Sequence, residues 1–251
     1  MSDAGTGAAP SGGSAAPDLG APTVLVLLRH GETALTAGRR FSGSGGADPA
    51  LSERGREQAA GAARALAAAP GTVPDTGTDT GTGTGTGTAG LLAVGAVEAV
   101  VSSPLARCRQ TAGVVAERLG LTVELAQDLR ETAFGAWEGL TFAEVRERYP
   151  AQLAAWFADP TAAPPGGESF AEVTARVAAA RDALLAAHRG RTVLVVSHVT
   201  PVKTLLRLAL GAPPQALFRM DLAPASLSAV AYYTDGNASV RFLNSTAHLP
   251  R

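Results

Sequence analysis

The stretch Val24-Leu-Val-Leu-Leu-Arg29-His30-Gly31-Glu32-Thr33 decides how the rest of the chain folds. Its five leading apolar residues predict a buried β-strand that delivers an arginine and a histidine to a glycine turn. A guanidinium group can bind two oxygens of a tetrahedral oxyanion, and a glycine lets backbone N–H groups come close to it. The imidazole can serve as a second donor, a base or a nucleophile. The alternative interpretation is a strand end at which Arg29 and His30 face solvent.

A second strand that ends in a histidine argues against this alternative. Thr192-Val-Leu-Val-Val-Ser-His198 has the same pattern in the last third of the chain. In an open α/β sheet, residues at the C-terminal ends of the strands share one crevice. We therefore expect Arg29, His30 and His198 to lie in one functional site.

Composition bounds the size, the partners and the compartment. Of 251 residues, roughly 210 remain without the low-complexity parts, which suits one α/β domain. The chain has 21 basic and 22 acidic residues, and its net charge of −1 points neither to nucleic acid nor to a membrane. The absence of an 18-residue apolar run and of a signal-peptide pattern predicts a cytoplasmic protein. The single Cys108 excludes an internal disulfide, offers no metal cluster, and is predicted to be an inert thiol on a buried helix face.

Two segments are too poor in large apolar residues to form a core. Residues 1–22 consist mostly of Gly, Ala, Ser and Pro, and we predict a disordered tail. Residues 71–90 carry a Thr-Gly alternation that imitates the period of a strand but has no apolar face to bury. We therefore predict a flexible insertion there.

A second arginine follows the next predicted strand, Val97–Ser103. Ser103 and Pro104 are typical of a helix N-cap and of the first helical position. Arg107 then lies in the first turn, where the helix dipole and free backbone N–H groups favour an anion. The apolar stripe of this helix comprises Leu105, Cys108, Ala112, Val115 and Leu119. Arg107 is off that stripe and is a candidate for a second anion clamp, although an isolated arginine is usually a surface residue.

Two glutamates flank an aromatic, glycine-rich turn after the short strand predicted at Leu121–Leu125. Glu131 precedes Phe134, and a carboxyl group in a partly dry pocket is favoured in its neutral form, which suits a general acid. Glu138 is the rival, and we interpret it as a structural acceptor for backbone N–H groups.

The loops around the site have recognisable compositions. Residues 34–49 are rich in Gly and contain Arg39-Arg40-Phe41-Ser42-Gly43, which predicts a loop over the site, or else a basic solvated loop. Residues 141–159 predict short helices carrying Trp156 and Phe157, and the segment 141–166 is expected to form a lid-like insertion that shapes substrate choice.

The remaining elements follow from caps and periodicity. Ser52 is expected to cap a helix that reaches about Ala69, and Ser169 to cap a long helix that ends near Gly190. Glu168 is interpreted as an exposed acid near that second N-terminus, with contact to the pocket as the alternative. Thr200-Pro201 opens the next helix. Asp235-Gly236-Asn237 predicts an antiparallel hairpin between strands 226–233 and 238–244 at one edge of the sheet.

Four motifs in order resemble those of the histidine phosphatase superfamily, also called phosphoglycerate mutase-like. They are Leu28-Arg-His-Gly-Glu-Thr33, Ser102-Ser-Pro-Leu-Ala-Arg-Cys-Arg-Gln-Thr111, Glu131-Thr-Ala-Phe-Gly-Ala-Trp-Glu-Gly139 and Val196-Ser-His198. The resemblance covers residues 23–246. It is greatest to the phosphatase branch that includes alpha-ribazole phosphatase and acid phosphatases, some of which follow a ribonuclease H-like domain.

This resemblance implies a three-layer α/β/α fold with a mostly parallel central sheet and an antiparallel edge hairpin. It implies a phosphomonoester hydrolase of small organic phosphates with a phosphohistidine intermediate, no metal and no cofactor, and it leaves a homodimer open. His30 is the implied nucleophile and Glu131 the proton donor. The implied phosphate-binding residues are Arg29, Arg107 and His198. Weaker substrate-binding candidates are Gly31, Glu32, Thr36, Ser42 and Gly43.

Two other functions are compatible with the same motifs. A phosphoglycerate mutase would return the phosphoryl group to the substrate, but such mutases carry extra basic residues after their glutamate, where this chain has Thr132-Ala-Phe134. A binding module of the same fold without catalytic activity would be expected to lack one of the main site residues. All five are present in this chain, namely Arg29, His30, Arg107, Glu131 and His198. The chain departs from the family at two places. The family often has Asn where this chain has Thr36, and Gly residues where it has Val199-Thr200. Both differences concern contacts with the substrate.

Overall fold

The computed structural model describes residues 20–68 and 94–249. The Thr/Gly insertion predicted at 71–90 lies outside the described residues. So does the predicted tail, apart from residues 20–22. Within these two ranges, no helix is long and apolar enough to cross a membrane.

A six-stranded mixed sheet forms the centre of the molecule. The strands are β1 (Thr23–Arg29), β2 (Ala99–Ser102), β3 (Val123–Leu125), β4 (Thr192–Ser197), β5 (Leu227–Tyr232) and β6 (Ala238–Ser245). Their order across the sheet is β3-β2-β4-β1-β5-β6. The first four strands of this order are parallel, whereas β5 runs antiparallel to β1 and pairs with β6 in the predicted hairpin.

Helices cover both faces of this sheet, so the expected three layers are confirmed. The helices are α1 (Ala34–Ala37), α2 (Glu53–Ala67), α3 (Ala106–Leu119), α4 (Phe142–Arg148), α5 (Pro150–Ala158), α6 (Phe170–Ala187) and α7 (Val199–Ala209). Leu66 of α2 and Val115 of α3 pack on one face, and Val177 of α6 and Leu205 of α7 on the other. Because both faces are covered, β1 and β4 are continuous apolar runs.

Two long helices, α2 and α6, begin with the side-chain caps that the sequence predicts. The Ser52 hydroxyl accepts the N–H of Gly55 at the start of α2. Ser169 and Glu172 form a capping box at the start of α6, and Thr141 and Glu144 form another at the start of α4. Such caps satisfy backbone N–H groups that have no partner inside the helix.

The predicted start of α3 is wrong. The helix begins at Ala106 after Leu105, not at Pro104, and the side chain of Ser103 is not its cap. The Ser103 hydroxyl instead contacts Nε2 of His198 at 2.7 Å, because a buried imidazole needs a hydrogen-bond partner. The carboxylate of Asp48 accepts the N–H of Ala106 in its place.

The segment 34–49 is also not entirely loop. Its first four residues form α1, because the Thr33 hydroxyl accepts the N–H of Thr36 and so caps a single helical turn. A turn this short has no apolar periodicity for sequence analysis to detect.

Candidate active site

A cavity of about 620 Å³ opens beside the C-terminal ends of β1 and β4. This volume is typical of sites for small organic ligands. Six of the predicted site residues line it, namely Arg29, His30, Glu32, Thr36, Ser42 and Glu131. The other four, Gly31, Gly43, Arg107 and His198, lie behind this wall.

The register of the sheet brings the two histidines together. Arg29 of β1 pairs with Ser197 of β4, so His30 and His198 are the next residues of two neighbouring parallel strands. Their ring centroids are 5.1 Å apart. These two side chains therefore lie next to each other, although only His30 lines the cavity.

His30 is held as a neutral imidazole with a defined tautomer. Its Nδ1 lies 2.7 Å from the carbonyl oxygen of Gly31, and because a carbonyl only accepts, Nδ1 carries the proton. Burial lowers the pKa of His30 well below 6.5, and the charges of Arg29 and Arg107 lower it further. Nε2 consequently carries an unprotonated lone pair at neutral pH, as a nucleophile requires.

His198 is fully buried between three elements. Its Nε2 contacts the Ser103 hydroxyl, and the Cys108 thiol of α3 lies 3.3 Å from the same nitrogen. Burial lowers the pKa of His198 well below 6.5, with smaller contributions from His30 and the arginines. Burial also raises the pKa of Cys108, so the thiol is protonated and its predicted inertness has a physical cause.

The two arginines present buried donors to the same region. Arg29 Nη1 donates to the carbonyl of Leu222, and burial lowers the pKa of Arg29 to about 10, so it remains a cation at neutral pH. Arg107 is fully buried, and its guanidinium group donates to the carbonyls of Ser42 and Gly43 and contacts Asp48. The Nε atoms of both arginines have no partner among the described residues. Buried donors normally have one, and an oxyanion would supply it.

Glu131 lies beside the N-terminus of α7. The side chain is buried and lines the cavity, and its Oε1 accepts the N–H groups of Thr132 at 2.9 Å and Thr200 at 3.3 Å. The predicted partly dry pocket is therefore buried but polar, because backbone donors hold the carboxyl group in place. Its rival Glu138 accepts the N–H groups of Gly43 and Phe134, and its predicted structural role is confirmed.

The weaker candidates divide between the cavity wall and the packing behind it. Ser42 lines the cavity with a buried hydroxyl that has no partner among the described residues. Gly43 lies behind it, where a Cβ atom would come within 2.2 Å of the Thr132 carbonyl. Gly31 donates its N–H to the Thr111 hydroxyl, and a Cβ there would come within 2.4 Å of the Gly55 carbonyl. Both glycines thus permit close backbone approach inside the protein.

Glu32 and Thr36 line the cavity while serving local structure. Glu32 accepts the hydroxyl of Ser52 through Oε1, which ties the site to the first turn of α2. Thr36 contacts the hydroxyl of Thr33, the cap of α1. Their proposed substrate contacts stay predictions.

A clamp around Glu131 was missed by the sequence analysis. Arg176 of α6 donates to the carbonyls of Asp128, Arg130 and Glu131 and forms two hydrogen bonds with Glu168. Glu168 also accepts the N–H of Ala133. The interpretation of Glu168 as an exposed acid is wrong, because three donors from other segments enclose its carboxylate. No local pattern could reveal this, since the partners lie on separate stretches of chain.

The aromatic side chains that line the cavity were only partly predicted from the sequence. The expected helices α4 and α5 form, and Phe142, Trp156 and Phe157 project from them into the cavity wall. Six of the seven phenylalanines of the chain line the cavity. Lys203 of α7 lies among them and was not singled out from sequence. Its spacing of three residues from Thr200, on the same helix face, was the available signal.

Metal ligands are not clustered in the described part of the chain. No group of three or more His, Cys, Asp or Glu side chains in residues 20–68 and 94–249 is arranged to hold an ion. The positive charge near the histidines comes from arginine side chains.

The chain belongs to the histidine phosphatase superfamily (branch 1), whose family model matches residues 25–74 and 78–245. The resemblance drawn from the four motifs is thereby confirmed.

Several relatives of the chain are named as phosphatases. It is 46% identical over 230 residues to the bifunctional protein Rv2228c of Mycobacterium tuberculosis, covering 92% of this chain but only 56% of that protein. This chain thus spans about half the length of that relative. It is 30% identical to phosphoserine phosphatase 1 of Hydrogenobacter thermophilus, covering 90% of this chain and 93% of the relative. The structure of mycobacterial glucosyl-3-phosphoglycerate phosphatase Rv2419c with VO3 superposes with a TM-score of 0.71 at 30% identity, covering 89% of this chain and all of that chain.

Proposed function

We propose that this protein hydrolyses small organic phosphomonoesters through a phosphohistidine formed on His30. The observation that carries the proposal is the tautomer of His30, with Nδ1 bonded to Gly31, a lowered pKa and the side chain at the cavity wall. Nucleophilic catalysis by histidine needs an uncharged, oriented nitrogen, and this arrangement supplies it.

The positions of the surrounding groups support the following reaction. Nε2 of His30 attacks phosphorus, the bond to the ester oxygen breaks, and Glu131 gives its proton to that oxygen, which leaves as the alcohol. A water molecule then gives a proton to the Glu131 carboxylate, and the oxygen of that water attacks phosphorus. The P–N bond breaks, and inorganic phosphate and neutral His30 result. Arg29, Arg107 and His198 are the groups that stabilise charge on the phosphoryl oxygens.

Two finer properties belong to the same proposal. Hydrolysis is metal-independent, because arginine side chains supply the positive charge that a metal would otherwise provide. Activity persists at mildly acidic pH, because His30, with its lowered pKa, is still neutral there. Exhaustive chelation should leave kcat unchanged, and loss with recovery on adding a divalent ion would contradict the first property.

A rapid-quench experiment tests the covalent step. With an aryl [³²P]phosphate, wild-type protein should carry acid-labile label on His30, and His30→Asn should carry none and lose activity at least about a thousandfold. His188→Asn, at the end of α6, is the matched control and should keep both label and turnover. Full turnover by His30→Asn would refute the proposal. Interconversion of 3- and 2-phosphoglycerate faster than phosphate release would assign the mutase function instead.

A further inference from the structure

Lys203 is the only lysine of the chain. The other 20 of its 21 lysine and arginine residues are arginines. The one lysine is half-buried, lines the cavity, and lies on α7 three residues after Thr200, whose N–H donates to Glu131. Residues three apart share a helix face, so Lys203 lies on the wall that also carries the general acid.

The ammonium group of Lys203 has charges near it but no direct partner. No hydrogen bond or ion pair joins it to any residue of the described ranges. Burial lowers the pKa of Lys203, Asp221 and Glu131 act in the opposite direction, and Arg29 acts in the same direction as burial. A half-buried cation without a partner is costly to the fold, which indicates a role outside folding.

The other cations of the cavity are already engaged or solvated. Arg29 donates to the Leu222 carbonyl, and Arg40 forms an ion pair with Glu144 and donates to the Gly139 carbonyl. Arg39 is exposed. Lys203 therefore differs from them in combining partial burial, a position in the cavity and an unpaired charge.

We propose that Lys203 is a substrate-binding residue that pairs with a carboxylate on the alcohol part of the phosphomonoester. The inference rests on the proposed function and adds a substrate class to it. One carboxylate matches the single positive charge of Lys203, whereas a second phosphate would bring up to two negative charges beside Glu131 and Asp221. The wall around Lys203 is rich in phenylalanine, and low polarity strengthens such an ion pair. The aromatic wall contacts the organic part of the same substrate.

Isosteric substrates test the charge preference. The 2-, 3- and 4-carboxyphenyl phosphates are compared with the matching carbamoylphenyl phosphates, which have the same shape but no charge. For at least one isomer, wild-type kcat/KM should favour the carboxylate by roughly 10- to 100-fold, the range of a charge-assisted hydrogen bond. Lys203→Gln should bring this ratio close to one, and Lys203→Arg should keep part of it. Arg146→Gln removes an exposed charge of α4 and should keep the wild-type ratio.

A binding measurement separates this inference from the proposed function. Reductive methylation with ¹³C-formaldehyde labels the only lysine, and Lys203→Arg identifies its signal against the terminal amine. Carboxyphenylphosphonate should raise the pKa of labelled Lys203, whereas carbamoylphenylphosphonate should leave it unchanged. Equal ratios in wild type and Lys203→Gln, or equal effects of the two phosphonates, would overturn the role of Lys203. Absence of phosphate release from every ester, with the pKa rise intact, would refute only the proposed function.

Discussion

The proposed phosphoryl transfer depends on keeping one imidazole uncharged. The Gly31 carbonyl determines which nitrogen of His30 carries the proton, and burial together with two arginines disfavours a second proton. The two arginines that are proposed to bind the phosphoryl group thus also help to keep His30, the proposed nucleophile, uncharged. This coupling makes the pH dependence of activity a direct test of the site.

The loss of kcat/KM on the acidic side of its pH profile should occur well below pH 6.5. The reactive form of His30 is neutral, so kcat/KM falls as the pH drops through the folded-state pKa, which burial lowers. The measurement is kcat/KM for an aryl phosphate between pH 4 and 8, with substrate ionisation corrected. An acidic limb at or above pH 6.5 would show that His30 is not shielded as described.

Glu131 should matter most for poor leaving groups. Glu131→Gln keeps the size of the side chain and an acceptor for the Thr132 and Thr200 N–H groups but cannot deliver a proton. For alkyl phosphates, kcat should fall by about 10²- to 10⁴-fold, whereas 4-nitrophenyl phosphate, whose phenolate needs little protonation, should be affected far less. Equal losses for both esters would contradict the role of Glu131 as proton donor.

Helix α6 contacts the segment that carries Glu131 through Arg176, a residue that does not line the cavity. Its Arg176 donates to three carbonyls of the segment 128–131, and Glu168 pairs with Arg130 and accepts the N–H of Ala133. The helix thereby sets the position of the Glu131 backbone, and the N-terminus of α7 sets its carboxyl group. Two helices on the same face of the sheet together position Glu131, the proposed proton donor.

Arg176→Gln should therefore weaken proton donation by Glu131 to the leaving group. We expect kcat for alkyl phosphates to drop by roughly tenfold or more, with a much smaller effect on 4-nitrophenyl phosphate and on KM, because the donor is misplaced. Arg181→Gln removes an arginine of the same helix that pairs with its neighbour Asp182, and it serves as the control. A uniform loss for all esters would instead indicate that Arg176 supports only the fold.

The fold buries two neutral histidines at the ends of its two central strands, β1 and β4. His30 and His198 are buried at adjacent strand ends, and the pKa of each is lowered mainly by burial. Unfolding exposes both imidazoles to water, where they take up protons near their ordinary pKa of 6.5. The energetic consequence is a fold that binds fewer protons than its unfolded chain in mild acid.

Stability should therefore decrease between pH 7.5 and 5.5. Above pH 6.5, His30 and His198 are neutral in both the folded and the unfolded protein. Below pH 6.5, only the unfolded protein binds protons at these histidines. The free energy of unfolding therefore falls by up to about 1.4 kcal/mol per pH unit for each histidine. Urea unfolding at several pH values measures this slope. Glu168, whose pKa lies below 4.5, contributes only at lower pH. A constant free energy of unfolding across this range would contradict the buried, neutral state of the two histidines.

The sequence alone determined the central sheet and most of the candidate site. Apolar runs such as those of β1 and β4 are long enough to be recognised locally, and the residues that follow them lie at predictable strand ends. His30, His198 and Arg29 could be placed for this reason, and the caps Ser52 and Ser169 because capping is a short-range interaction.

Only the tertiary structure decided which partners the polar side chains choose. Ser103 contacts His198 instead of capping α3, and Glu168 joins Arg176 across a helix and a loop. Lys203 lies in a wall of aromatic side chains drawn from several segments and has no hydrogen-bond or ion-pair partner among the described residues. The physical reason is that a polar group takes the best donor or acceptor within about 3 Å after the chain has folded, and that neighbour is rarely near it in sequence.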